Sequence, residues 1–138
     1  MFNYSNVTQD TTRLRRFIAD ETDGCCDADV EARLDELESF TGGIPDDYAT
    51  DLDALKTLGN ETRYRITRLL AAAEDELCVC EITPSFDVSE SAVSHALSDL
   101  TDAGLLSRRK EGTWRYYRTT ARAERVVAAL DATRGENE

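Results

Sequence analysis

The segment from Ser89 to Thr119 constrains the fold of this chain more than any other. Ser89 can cap a helix whose Val93, Ala96, Leu97 and Leu100 recur at the spacing of one buried face, and Gly104 stops it. Leu105–Arg109 and Trp114–Thr119 then read as two strands about Lys110, Glu111 and Gly112, which predicts a hairpin. Upstream, Leu52, Leu55 and Leu58 belong to a helix closed by Gly59. Asn60 can cap the next, with Tyr64, Ile66, Leu69 and Leu70 turned inward, and a short third helix should run from near Leu77 to between Pro84 and Phe86. A last helix carries Val126, Val127 and Leu130. The order α-α-α-α-β-β-α, with its third and fourth helices joined by a tight turn, predicts a mainly α fold with a β-hairpin, a winged helix-turn-helix.

Ahead of this domain, Leu14, Phe17 and Ile18 suggest a short amphipathic helix over residues 10–20, with Asp10 or a nearby threonine as its cap. After Asp23 and Gly24, helical spacing returns in Val30, Leu34, Leu37 and Phe40, until Thr41, Gly42, Gly43 and Pro45 end it. The expected organisation is a helical extension over residues 1–43 and a main domain over residues 46–138. There is no internal repeat and no low-complexity tract.

The 138 residues carry a net charge of −12, which by itself speaks against binding a polyanion. The distribution reverses that reading. Residues 1–57 hold 14 acids against 5 bases, whereas residues 104–125 hold 7 bases against 2 acids. A basic strip in an acidic chain can be offered to DNA while the acids repel elsewhere. Two lysines accompany fourteen arginines, and that bias on an acidic chain is expected of a protein working in concentrated salt, as in a halophile. No apolar run approaches the roughly 18–20 residues that span a bilayer, and the N-terminus MFNYSNVTQD shows no secretory signal. The expected location is cytoplasmic, away from membranes.

Ser91, Ser94, His95 and Ser98 fall on the side of the Ser89-capped helix opposite its apolar stripe, where small polar groups can approach base edges in a major groove. The same polarity would suit any surface helix. Arg108, Arg109 and Lys110 before the hairpin turn, with Arg115 and Arg118 after it, make a wing suited to the phosphate backbone or minor groove. Trp114, Tyr116 and Tyr117 are expected to pack the hairpin against the helices. His95 is the only histidine, so it cannot build a metal site and fits a phosphate or base contact or a plain surface residue.

The four cysteines fall in two close pairs, Cys25/Cys26 and Cys78/Cys80. Cytoplasmic thiols stay reduced, so metal or redox chemistry is a better reading than a structural disulfide. In mid-helix, residues i and i+2 point about 200° apart, but at a helix N-terminus Cys78 and Cys80 can share one ion. The helix end also favours the thiolate. Paired thiolates prefer soft or borderline ions: zinc, cadmium, lead, and trivalent arsenic or antimony. Composition alone favours reading both as small core residues in an apolar run. Cys25 and Cys26, flanked by Asp23, Asp27 and Asp29, do not suit one.

LKTLGNETRYRITRLL (Leu55–Leu70), ELCVCEI (Glu76–Ile82), SESAVSHALSDLTDAGLL (Ser89–Leu106) and RRKEGTWRYYR (Arg108–Arg118) together resemble the ArsR/SmtB family of metalloregulatory repressors, in the family's order, over about residues 48–132. The resemblance implies a homodimer formed through the first and last helices of the winged domain. It further implies operator DNA held by the fourth helix and the wing, with Ser91, Ser94, His95, Ser98, Arg108, Arg109, Lys110 and Arg115 as contacts, and release on metal binding. In arsenic, cadmium and lead sensors of the family the CxC motif supplies ligands, which carries onto Cys78 and Cys80, while Cys25 and Cys26 would fill the role of N-terminal ligands in some members. Two departures stand out. The family commonly reads SHHL where this chain has Ser94, His95, Ala96 and Leu97, and residues 120–134 lack the histidines of a second zinc site. The expectation is a non-enzymatic repressor, needing no cofactor for DNA binding and induced by As(III) or Sb(III). The alternatives are Cd(II), Pb(II) or Zn(II) as inducer, or a thiol redox regulator, although no C-x-x-C motif is present.

Overall fold

The computed structural model describes residues 10–22 and 27–136. Between residues 48 and 49 the chain divides into two compact units.

In the first unit, α1 (Thr12–Thr22) and α2 (Asp27–Thr41) contact each other, and Arg15 is ion-paired with Asp27. The backbone N–H of Thr12 donates to Asp10 Oδ1 at 3.0 Å, and that bond holds the Asp10 carboxyl below its ordinary range. Ile18 and Val30 are buried as an amphipathic reading requires, but Phe17 and Phe40, expected in the apolar stripes, are 60% and 61% exposed. The predicted interruption at Asp23 and Gly24 lies outside the described residues, as do Cys25 and Cys26.

The second unit holds α3 (Tyr48–Leu58, its first residue in the preceding unit), α4 (Glu61–Ala73), β1 (Leu77–Cys78), α5 (Val79–Ile82), a 3-10 turn (Thr83–Ser85), α6 (Glu90–Asp102), β2 (Leu106–Glu111), β3 (Trp114–Thr119) and α7 (Ala121–Thr133). Side-chain caps set the helix starts: Asn60 accepts from Arg63 N, Ser89 from Ala92 N and Thr120 from Ala123 N. Gly104, at φ 77°, ends α6 in a Schellman turn, with Leu105 N bonded to Leu100 O and Gly104 N to Thr101 O at 3.0 Å. Ile66, Leu70, Ile82, Val93, Leu97, Leu100 and Leu105 form the centre of the core, so α4, α5, α6 and the sheet share one apolar interior. Tyr64 and Leu69, expected inward, are only half-buried, and Thr67 takes an inner place by donating its hydroxyl to Arg63 O at 2.9 Å.

Two differences from the sequence expectation concern the sheet. The hairpin is one residue pair longer than expected, with Glu111 opposite Trp114 and only Gly112 and Thr113 in the loop. Gly112, at φ 63°, supplies the positive angle that a tight two-residue turn needs at its first central position. The hairpin also gains a third strand. Leu77 and Cys78, expected to open a helix, instead pair antiparallel with Tyr117 and Tyr116, giving the order β1-β3-β2. The expected third helix is thereby cut to the single turn α5 and the 3-10 turn around Pro84. Among the described residues, no helix is long and apolar enough to cross a membrane.

Candidate nucleic-acid interface and thiol site

The two faces of α6 separate cleanly. Val93, Ala96, Leu97 and Leu100 are buried, while Ser91, Ser94, His95 and Ser98 are all exposed. The wing sorts its charges by the same logic of alternation, because cross-strand partners share a face. Leu106 pairs with Thr119, Arg108 with Tyr117 and Lys110 with Arg115. Leu106, Thr119 and Tyr117 are buried toward the core, and where the core runs out this face continues as Arg108, Lys110 and Arg115. Among the described residues no carboxylate pairs with those three cations. Arg108 and Arg115 line, together with Ser91, Ser94, His95 and Ser98 of α6, an open groove of about 840 Å³.

Arg109 lies on the other face. Its Nε donates to Glu76 at 3.1 Å, one Nη donates to the same carboxylate and the other to Glu111, and the guanidinium sits 4.5 Å from the centre of the Tyr116 ring. These bonds raise the Arg109 pKa and hold the Glu76 carboxyl below its ordinary range. Tyr117 packs inward as expected. Tyr116 is half-buried under Arg109, and Trp114, expected to pack the hairpin to the helices, is 55% exposed at the hairpin tip and lines the groove. It stands next to the turn, beyond the reach of the core.

Cys78 and Cys80 open onto the same groove. Cys78 is buried at the start of α5 and its Sγ accepts from Cys80 N at 3.3 Å, while Glu81 reaches back to accept from Cys78 N at 2.8 Å. This reciprocal cap fixes the backbone at the point where the strand becomes a helix. Cys80 is exposed. Its thiol is pushed above the ordinary cysteine range by its hydrogen bond to Cys78, then by partial desolvation and by electrostatic interaction with Cys78 and Glu81. The expectation that the helix end favours the thiolate therefore does not hold at Cys80, because a four-residue helix offers little dipole while the hydrogen bond to Cys78, partial desolvation and the nearby Glu81 favour the protonated thiol. Among the described residues, no three histidine, cysteine or acidic side chains gather where they could hold a metal. Among its described residues the winged unit thus brings two cysteine sulfurs near one another, those of Cys78 and Cys80. Glu81 and Glu76 were not anticipated; only Glu81 left a sequence signal, an acid three residues after a capping position.

The sequence signature described as "Bacterial regulatory protein, arsR family" matches residues 60–108, from the cap of α4 into β2. A Halobacterium salinarum protein provisionally named arsenical resistance operon repressor ArsR is 52% identical over 126 residues, 90% of this chain and 97% of that protein. The chain belongs to the ArsR family. Arsenic resistance transcriptional regulator ArsR1 of Pseudomonas putida is 38% identical over 68% of this chain and 73% of that protein. The solution structure of the homodimeric winged helix-turn-helix DNA-binding domain of Mb0332 from Mycobacterium bovis superposes with a TM-score of 0.58 at 29% identity, covering 69% of this chain and 91% of that domain. As an ArsR-family chain it is a transcriptional regulator of the winged helix-turn-helix class, and not an enzyme.

Proposed function

We propose that this chain is an arsenic-responsive repressor that binds operator DNA as a homodimer and releases it when Cys78 and Cys80, with Cys25 or Cys26, capture trivalent arsenic or antimony. The observation that carries this reading is the shared groove: Cys78 and Cys80 are among the residues that line the same concavity as the exposed face of α6 and Arg108 and Arg115 of the wing, which have no acidic partner among the described residues. The names of the relatives point the same way, since the proteins of Halobacterium salinarum and Pseudomonas putida are both named for arsenic resistance. In this reading Ser91, Ser94, His95 and Ser98 face base edges, while Arg108, Lys110 and Arg115 face phosphates. The helical extension over residues 1–43 supplies the remaining sulfur to the winged domain. In this reading the protein works in the cytoplasm, on its DNA partner.

An inducer releases DNA only if it binds the free conformation more tightly than the bound one. Cys78 caps α5, the helix that leads into α6, and Ile82 of α5 is fully buried in the core that α6 shares. Drawing the two sulfurs onto one atom therefore strains the cap and displaces the leading helix of the helix-turn-helix. The dimer is supported by apolar side chains left in solvent on α3 and α7: Leu52, Leu55 and Leu130. Arg122 of α7 donates to Asp51 of α3 at 2.7 Å, which joins these two helices.

The test is titration of the reduced protein with arsenite, cadmium and zinc, following sulfur-ligand absorbance and release from an operator duplex selected by the protein itself. Cys78→Ser and Cys80→Ser should keep operator affinity and lose the arsenite response. A Cys78→Ser protein that leaves DNA at the wild-type arsenite concentration overturns the site, and release by cadmium alone reassigns the inducer.

A further inference from the structure

Arg109 differs from its neighbours on the wing. Arg108 and Arg115 turn toward the groove with no acidic partner among the described residues, while all three guanidinium nitrogens of Arg109 are spent on Glu76 and Glu111 and its plane lies over Tyr116. A phosphate would have to displace two carboxylates and lift the side chain from a ring to reach it. Glu76, for its part, is placed immediately before β1, two residues from Cys78. The β1 strand is only two residues long and pairs with the wing through Leu77 and Cys78 alone. So short a ladder needs a further tie if strand and wing are to move together, and the bidentate pair between Glu76 and Arg109 spans that junction.

We propose that Arg109 is a positioning residue, not a phosphate contact: with Glu76 and Glu111 it staples the strand that ends in the thiol site to the wing, so that inducer uptake at Cys78 and Cys80 is transmitted to the DNA-facing cations. The proposal rests on the sensor reading above. In the free and DNA-bound forms the staple holds one register between β1 and the wing. A ligand that draws Cys78 toward Cys80 pulls on β1, and through Glu76 and Arg109 it turns the hairpin with it. Without the staple, the ligand still binds the sulfurs but the wing no longer follows.

The experiment compares wild-type protein, Arg109→Ala, Glu76→Gln and Arg108→Ala by three measurements: sulfur-ligand absorbance on titration with arsenite, operator affinity as a function of salt, and the fold-loss of operator affinity at saturating arsenite. Arg108→Ala serves as the phosphate-contact standard and should flatten the slope of log affinity against log salt by about 0.9. Arg109→Ala should bind arsenite as wild type, keep the wild-type salt slope, hold operator affinity within about threefold, and lose at least tenfold of the arsenite-driven release. Glu76→Gln, which keeps the cation, should show the same loss of release. The staple is overturned if Arg109→Ala flattens the salt slope like Arg108→Ala while releasing normally, or if Glu76→Gln steepens the slope and tightens binding while releasing normally. The two readings fail in different ways. A wild-type protein that takes up no arsenite, or keeps its DNA when loaded, removes the sensor and the staple with it; normal release in wild type and both staple variants removes the staple alone.

Discussion

The chemistry of the thiol pair separates candidate inducers by how they treat protons. Arsenite arrives as As(OH)₃, and each sulfur that binds it gives its proton to a leaving hydroxide: As(OH)₃ plus two thiols yields a dithiolate arsenic hydroxide and two waters. No net proton is released below the thiol range. A cadmium ion must instead expel the protons into solvent, one per sulfur. Because Cys80 holds its proton more tightly than an ordinary cysteine, that expulsion continues to matter above the usual thiol pKa of about 8.5. Arsenite affinity should therefore stay nearly flat from pH 6 to pH 8, while cadmium affinity rises by about tenfold per pH unit for each thiol proton displaced. Competition titrations at several pH values check this, and a steep rise for arsenite would show that its binding is not this exchange. The thiol pair was visible in the sequence because two cysteines in ELCVCEI are unusual at any location. The upward shift of the Cys80 thiol was not, because it arises from the closeness of Cys78, from partial desolvation and from Glu81 folding back over the cap, and these depend on the strand-to-helix bend at Cys78.

The helix α6 was read almost completely from its residues, because capping, periodicity and the Gly104 stop are local signals that agree with one another. That agreement makes a sharp expectation. Leu100→Ala removes a fully buried side chain from the core and should cost about 2–5 kcal/mol of unfolding free energy, whereas Ser98→Ala, two positions earlier and exposed, should cost less than about 0.5 kcal/mol. Chemical denaturation of the two variants checks it; comparable losses would mean that α6 does not present the faces described. The strand β1 was illegible for the opposite reason. Two residues carry no period, their partners Tyr116 and Tyr117 lie far along the chain, and Leu77 and Cys78 sit directly against a helical turn, so the local pattern reads as helix. The ion pair of Glu76 with Arg109 shares that fate, since it joins residues 33 apart, and Arg109 in sequence looks the same as its groove-facing neighbour Arg108. Trp114 was misplaced because aromatic content promises burial, but the turn at Gly112 and Thr113 puts it at the tip.

At the scale of the whole molecule, a helix-turn-helix dimer sets two recognition helices into major grooves about 34–36 Å apart, so the proposed homodimer is part of the proposed mechanism. Leu55 is 63% exposed and Leu130 42% exposed, on α3 and α7 respectively, and neither has an apolar partner that would account for it within the winged unit's core. Placing charge on both should be harmless to the fold and ruinous to association. Leu55→Glu with Leu130→Glu is expected to sediment as a monomer at micromolar concentration, with an unchanged denaturation midpoint at low protein concentration and at least a hundredfold weaker operator binding. A dimer that survives both changes would place the interface elsewhere.

In the proposed sensor, one of Cys25 and Cys26 would add a third sulfur to Cys78 and Cys80. Cys25 and Cys26 lie outside the described residues, between α1 and α2, in a stretch flanked by Asp23, Asp27 and Asp29. Arsenic bound only by Cys78 and Cys80 keeps one hydroxide, which water and competing thiols can exchange. A third sulfur replaces that hydroxide and turns release of the ligand into the breaking of three bonds. Either neighbouring cysteine can serve, so Cys25→Ser and Cys26→Ser singly should leave the response within a few-fold of wild type. The double variant should still bind arsenite through the winged unit, but more weakly by at least tenfold and with faster exchange into a competing dithiol. Stoichiometric thiol counting on the arsenite-loaded protein supplies the decisive number: three protected sulfurs in wild type and two in the double variant. Wild-type protein that protects only two, with a normal response in the double variant, would confine the sensor to Cys78 and Cys80 and leave the extension with no part in arsenic capture.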